Sequence, residues 1–396
     1  MQQKRASRNE GGSMIFPPPL RKGDTVGLVC PSSPVNEERI AGCVEAVEKM
    51  GDRVKTADNL GKNYRGYMAG DEEERARWIN IMFADEKVGA VFCVRGGHGS
   101  SRIMEYLDFE MIKRNPKIFV GYSDVTNIHM AINKICGFVT FHGPMVSSNM
   151  VDDFDKETKG SFFSALEGRM GYVFENPPEC KVKILKKGQA ESQRPAEMGT
   201  GLARKGKEDE DGKVTAWGKK GDENRKVLAR GRLTGGNLSL LSAGIGTAYE
   251  VDTAGKILFI EEVAETIGKI EKWMYHLRNS GKLAQCKGIL LGQFSQMKGC
   301  TEEEILTCVE DGIKDVNIPV FYNIQSGHGK PMMTLPLGAM CILRGDKDVD
   351  GERGIIEFTG EKEKIEFTGE KEKIEFTGKK EKKFYTEKGM GWEVER

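Results

Sequence analysis

Over the first part of the chain, short unbroken apolar runs that end in turns alternate with stretches of helical spacing. Asp24-Thr25-Val26-Gly27-Leu28-Val29-Cys30-Pro31 reads as a buried strand running into a loop. A helix is expected from Glu37 to Met50, and helical periodicity returns from Asp71 to Phe83. Gly89-Ala90-Val91-Phe92-Cys93-Val94 is a second buried strand that breaks into Arg95-Gly96-Gly97-His98-Gly99-Ser100, and a further helix leads to a strand from Lys117 to Val120. Continuous apolar strands alternating with helices predict a parallel sheet covered on both faces. Functional groups in such sheets gather at the carboxyl ends of the strands.

The pattern fades between residues 186 and 226, where Lys, Glu, Asp and Gly dominate; such a segment buries too little apolar surface to offset its ordering entropy, and an exposed insertion is expected. Order returns at Arg232-Leu233-Thr234-Gly235-Gly236-Asn237-Leu238-Ser239-Leu240-Leu241. It continues through a strand Lys256 to Ile260 that ends in Glu261-Glu262, a helix from Ile267 to Ser280, a strand Gly288 to Leu291, a helix from Glu302 and a strand at Pro319-Val320-Phe321. The C-terminus repeats Ile356-Glu357-Phe358-Thr359-Gly360-Glu361-Lys362-Glu363 with a period of nine as Ile365 to Glu372 and, with one change, Ile374 to Glu381. An odd period cannot bury every copy on one face of a single element, so a solvated low-complexity tail is expected. The resulting division is a disordered lead 1–15, an N-terminal α/β domain 16–165, a C-terminal domain 166–350 containing the insertion, and a tail 351–396.

Composition narrows the function. Lys+Arg and Asp+Glu both number 60, which leaves no global field for nucleic acid or an anionic membrane. The hydrophobic fraction of 38% is low for a wholly compact chain, in keeping with the two polar segments. Nine scattered cysteines without CxxC spacing suit buried reduced thiols better than zinc ligands or disulfides. No span-length apolar stretch and no secretory h-region occur, so a cytoplasmic protein without metal or other cofactor is expected.

Lys117-Ile118-Phe119-Val120-Gly121-Tyr122-Ser123-Asp124-Val125-Thr126 sets a serine on a tight turn between a buried strand and a helix start. An α/β hydrolase places its nucleophile there, and the amide after the serine is available to an oxyanion. The alternative is that Ser123 or Asp124 caps the helix. Five histidines are present; His129 and His276 lie at helical spacing, leaving His98, His142 and His328 as loop candidates for a base. His328, in Gln325-Ser326-Gly327-His328-Gly329, follows a strand and is flanked by glycines. A carboxylate must orient such a base, and alternation along a strand lets only one of Glu261 and Glu262 face it. Arg95-Gly96-Gly97-His98-Gly99 suits a second oxyanion donor or a phosphate cradle, but lacks the Walker lysine pattern.

Taken in order, Arg95-Gly96-Gly97 with Gly99, Gly121-Tyr122-Ser123-Asp124, Phe141-His142-Gly143-Pro144-Met145, Gly235-Gly236-Asn237-Leu238-Ser239, Phe259-Ile260-Glu261-Glu262, and Gly327-His328-Gly329 with Leu335-Pro336-Leu337-Gly338-Ala339 resemble the LD-carboxypeptidase family, the muramoyl-tetrapeptide carboxypeptidases and their microcin-immunity relatives. The resemblance spans about residues 16–343. It implies a flavodoxin-like parallel sheet domain joined to a smaller β-rich α/β domain with the site between them, and a Ser123, Glu261, His328 triad. It also implies an oxyanion hole from the amides of Gly97 and Asp124; a substrate with a free terminal carboxylate needs a partner for it, and Arg95 is the candidate. The implied reaction is loss of a terminal D-alanine from a murein tetrapeptide by a cytoplasmic homodimer. The alternatives are hydrolysis of aminoacyl-nucleotide or acyl-sulfamate linkages and a non-catalytic peptide-binding protein. His98 stands where relatives commonly carry tyrosine, and Glu261-Glu262 where they often carry Glu-Asp.

Overall fold

Apolar runs flanked by turns become the inner strands of two sheets. A computed structural model of the chain describes residues 14–167, 172–188, 226–348, 351–359, 384–386 and 389–391. In the first part, β1 (Thr25–Val29), α1 (Glu37–Glu48), β2 (Arg53–Thr56), α2 (Glu72–Ala84), β3 (Val88–Cys93), α3 (Phe109–Arg114), β4 (Ile118–Gly121), α4 (Thr126–Ala131), β5 (Thr140–His142) and α5 (Lys156–Glu167) follow one another. The strands lie in the order 2-1-3-4-5, all parallel, which is the flavodoxin arrangement. Val26, Leu28, Val91, Phe92, Phe119 and Val120 are fully buried, as expected for strands covered on both faces.

The second part contributes β6 (Tyr172–Phe174), β7 (Lys183–Lys186), β8 (Lys226–Asn237), α6 (Leu238–Ala243), β9 (Ile257–Val263), α7 (Ile267–Asn279), β10 (Gly288–Ser295), α8 (Glu302–Gly312), β11 (Val320–Tyr322), β12 (Leu335–Leu337), β13 (Met340–Asp348) and β14 (Gly351–Thr359). Its sheet has eight strands: a parallel core β8-β9-β10-β11 with antiparallel wings, β7 on one side and β13, β14 and β6 on the other. β12 does not join it. That strand crosses back and pairs antiparallel with β5, Leu335 opposite His142, closing the free edge of the first sheet.

The two sheets meet where Gly235 and Gly236 end β8. A side chain on Gly236 would sit 2.7 Å from Thr126 Oγ1 on α4, and both glycines have positive φ, so only glycine lets β8 approach this closely. Asn237 N then donates to Thr126 Oγ1 at 3.2 Å. The described residues from Met14 to Thr359 form one compact unit.

Three boundaries move. The C-terminal part does not stop at 350: the first copy of the nonapeptide is part of β14, where Ile356 and Phe358 share one buried face and pair with Leu343 and Cys341 of β13. Burial of one i, i+2 pair needs no periodicity over the later copies. Met14 and Ile15 belong to the fold, since Ile15 N donates to Gly137 O at 3.0 Å. The division at 165/166 cuts α5 and ignores β12. The expected insertion lies, apart from its ends, outside the described residues, as do residues 1–13 of the lead and the later repeats; beyond them Phe384–Thr386 and Gly389–Gly391 form a small antiparallel pair of their own.

Candidate active site

The carboxyl ends of β4, β9 and β11 converge. Tyr122 leaves β4 fully extended and Ser123 then turns to φ 63°, a left-handed conformation that costs a serine about 1–3 kcal/mol and persists only where the surroundings impose it. This is the sharp strand-to-helix elbow that presents a side chain above a sheet. The capping alternative does not describe the helix start: α4 opens after Val125, with no side-chain cap hydrogen bond, and Ser123 sits in the elbow before it at φ 63°. The Asp124 carboxylate instead accepts from Ser32 Oγ at 2.6 Å and from the Ser100 amide at 2.7 Å, tying the loop after β1 to the end of the glycine-rich turn.

That turn passes directly over the elbow: a side chain on Gly96 would meet Ser123 Cβ at 3.0 Å and Oγ at 3.3 Å. Gly97, at φ 117°, leaves no space for a Cβ against Ser33. Among the described residues no hydrogen bond is assigned to the amides of Gly97 or Asp124, which leaves both available to a ligand. Arg75, buried in α2, holds the turn from below through Gly99 O at 2.9 Å and Pro31 O at 2.6 Å. Sequence reading missed it, because an arginine in a charged helix carries no signal of burial.

Glu261 and Glu262 point opposite ways, as strand alternation requires. Glu261 Oε2 lies 2.7 Å from His328 Nδ1 in the loop after β11, and Glu261 is fully buried with Oε1 unpartnered among the described residues. The His328 ring packs edge-on against Tyr122, the neighbour of Ser123, with centroids 4.8 Å apart. Tyr122 is thereby a site residue in its own right; burial first, then the charge of Glu261, pushes its phenol up to about 12 and keeps it neutral. Ser123 Oγ and His328 share no hydrogen bond in this structure, a looseness common before substrate binds.

Glu262 is not solvated at a strand end. It is buried and accepts from Asn237 Nδ2 at 2.7 Å, Ser239 N at 2.8 Å and Val263 N at 2.9 Å. Burial first, and the Glu261 charge after it, raise its carboxyl above the ordinary value.

The remaining histidines separate cleanly. His142 is buried beneath Tyr122 and Phe259 with neither ring nitrogen partnered among the described residues, and burial drives it far below the usual imidazole range. His129 bonds Gly121 O at 2.8 Å, and burial lowers it to about 4. His276 is exposed on α7. His98 is exposed beside Tyr67, ring centroids 5.9 Å apart. Arg95 is exposed and spends one guanidinium nitrogen on Pro34 O at 3.1 Å. Among the described residues no group of three or more His, Cys, Asp or Glu is placed to hold a metal, and no helix is long and apolar enough to cross a membrane. All nine cysteines are free, six of them buried.

Residues 26–143 match the LD-carboxypeptidase N-terminal domain and residues 230–343 the LD-carboxypeptidase C-terminal domain. The chain is 34% identical over 347 residues to a probable murein peptide carboxypeptidase of Bacillus subtilis, covering 86% of this chain and 95% of that one. It is 28% identical over 338 residues to the microcin C7 self-immunity protein of Escherichia coli, 81% and 90% covered. The crystal structure of a muramoyltetrapeptide carboxypeptidase from Oxalobacter formigenes superposes with a TM-score of 0.65 at 24% identity over 84% of this chain and 98% of that one, a likeness of fold.

Proposed function

From the premise that this chain belongs to the LD-carboxypeptidase family, we propose that it is a serine peptidase that removes a terminal D-amino acid, D-alanine, from murein tetrapeptides in the cytoplasm. The observation that carries the reading is the buried Glu261 paired with the half-buried His328 against the elbow of Ser123. Glu261 fixes the His328 tautomer with Nδ1 as donor, leaving Nε2 to take the Ser123 proton as Oγ attacks the amide carbonyl. The amides of Gly97 and Asp124 receive the oxyanion. His328 returns the proton to the departing amine, and water then releases the acyl group from Ser123. Arg95, exposed and bonded among the described residues through one guanidinium nitrogen to Pro34 O, offers a fork for the terminal carboxylate. The likeness to a murein peptide carboxypeptidase favours the peptide substrate. We propose a homodimer as the assembly state, testable by light scattering.

A second reading, cleavage of an aminoacyl-nucleotide or acyl-sulfamate linkage by the same three residues, is favoured by the exposed Tyr67–His98 pair beside Gly97, which presents aromatic faces on which a base can stack. Mass-spectrometric assay of the purified protein on murein tetrapeptide, on its counterpart ending in L-alanine, and on an aminoacyl-sulfamoyl nucleoside separates the two. Release of D-alanine that Ser123→Ala reduces by about 10³-fold or more is the expected result. Near-native turnover by folded Ser123→Ala refutes the assignment.

A further inference from the structure

β10 runs in register beside β9 until Leu291 faces Ile260, and again from Phe294 facing Glu262. Between those points Gly292 and Gln293 together oppose the single residue Glu261. Such a bulge bends a strand and re-aims a side chain. The side chain re-aimed is Gln293, and it turns onto the loop that carries His328.

Gln293 grips that loop at four points. Its amide nitrogen donates to Ser326 O at 2.9 Å. Its side-chain Oε1 accepts from the Gly329 amide at 2.8 Å, while Nε2 donates to Pro331 O and to Gln325 Oε1, each at 3.1 Å. The bonds fall on both sides of His328, and a backbone donor (Gly329 N) at Oε1 with a backbone acceptor (Pro331 O) at Nε2 fixes which way round the amide sits. The loop needs such a grip, because Gly327, with φ 139°, and Gly329 flank the histidine and restrict its backbone little.

We infer that Gln293 is a positioning residue that sets the reach of His328 toward Ser123 by holding the loop backbone. This rests on the proposal that His328 is the base. Misplacing a catalytic group by about 1 Å costs on the order of 10²-fold, so losing the grip is expected to lower kcat by roughly 10- to 100-fold while KM stays within about threefold.

The test pairs kinetics with a signal that needs no turnover. Gln293→Met keeps the bulk of the side chain and removes its three hydrogen bonds. Proton NMR follows the Nδ1-bound proton of His328 against Glu261, assigned by its loss in His328→Ala. The expected result is a lower kcat together with a weakened, faster-exchanging Nδ1 proton. A variant with kcat within twofold of wild type, or with lowered kcat but an unchanged Nδ1 signal, overturns the inference. Should Gln293→Met not fold, Gln293→Glu, which keeps the acceptor for Gly329 and loses both donors, takes its place. If wild type turns over no peptide, or Ser123→Ala remains active, the proposed reaction fails, and the Nδ1 signal still decides whether Gln293 holds the loop.

Discussion

Exchanging each of the adjacent glutamates for glutamine separates chemistry from scaffolding on one strand. In Glu261→Gln the shape is kept, but the group facing His328 Nδ1 loses its charge and presents an amide able to favour the wrong tautomer. Triad carboxylate replacements of this kind lower kcat by on the order of 10³- to 10⁴-fold. Stability changes little, because the lost charge was buried with Oε1 unpartnered. Glu262→Gln is the converse. With its remaining oxygen toward Asn237 and Val263, only the Ser239 bond is lost, a hydrogen bond to a charged group worth about 1.5–3 kcal/mol. Relief from burying a second carboxylate beside Glu261 offsets part of this. A net change within about 2 kcal/mol, a few degrees in Tm, is expected, with kcat within about threefold. The pH dependence gives an independent check. A carboxyl raised in the folded state holds its proton to higher pH than in the unfolded chain, so its contribution is present at low pH and lost as pH rises through the folded value. Glu262→Gln should therefore be less sensitive to that rise than wild type. Steady-state kinetics and calorimetry on both variants decide it. A crippled Glu262→Gln beside a near-native Glu261→Gln would refute the reasoning.

Acidification should destabilise the fold through His142 and His129. Both are lowered by burial, so the unfolded chain binds more protons below about pH 6.5 and stability falls by up to about 1.4 kcal/mol per pH unit for each; His142→Phe should show a smaller drop in Tm from pH 7 to 5, and an equal drop contradicts this. A chain ending at Asp350 loses the buried Ile355, Ile356 and Phe358 and should be weaker by on the order of 5 kcal/mol in urea unfolding, whereas one ending at Glu361 should match the full chain in kcat/KM. Gly97→Ala should lower kcat by about 10²-fold or more, since its Cβ would displace the turn that presents one oxyanion donor; unchanged kcat would exclude that donor.

Strands with continuous apolar runs, such as Val88–Cys93 and the Ile257 to Ile260 part of β9, were legible because burial on both faces writes itself as uninterrupted hydrophobicity. The elbow at Ser123 and the strand-end glutamates were legible because each is a short local motif, and the likeness of several motifs in order joined them to His328. What escaped the sequence was non-local. The bulge opposite Glu261 depends on the register between β9 and β10, which no residue type declares. Asp124 reads as a helix cap from its position, and only the folded loops show that Ser32 and Ser100 claim its carboxylate. The first nonapeptide copy has the same sequence as its successor, and only the register of β14 against β13 shows where it pairs.

The crossing of β12 back to β5 bears on how the molecule is made. Synthesis runs from the N-terminus, and an N-terminal half tends to fold first. That half contains β1 to β5 and the elbow of Ser123, yet its sheet keeps an open edge at β5 until Leu335–Leu337 arrive. The strand that closes the edge follows His328 by only a few residues. Sealing an aggregation-prone border and delivering the histidine therefore belong to one late event, and a nascent chain halted before Gln325 should lack the histidine and associate through β5. Light scattering of a chain ending at Ile324 measures that association directly; a monodisperse monomer would show that the edge is protected by other means.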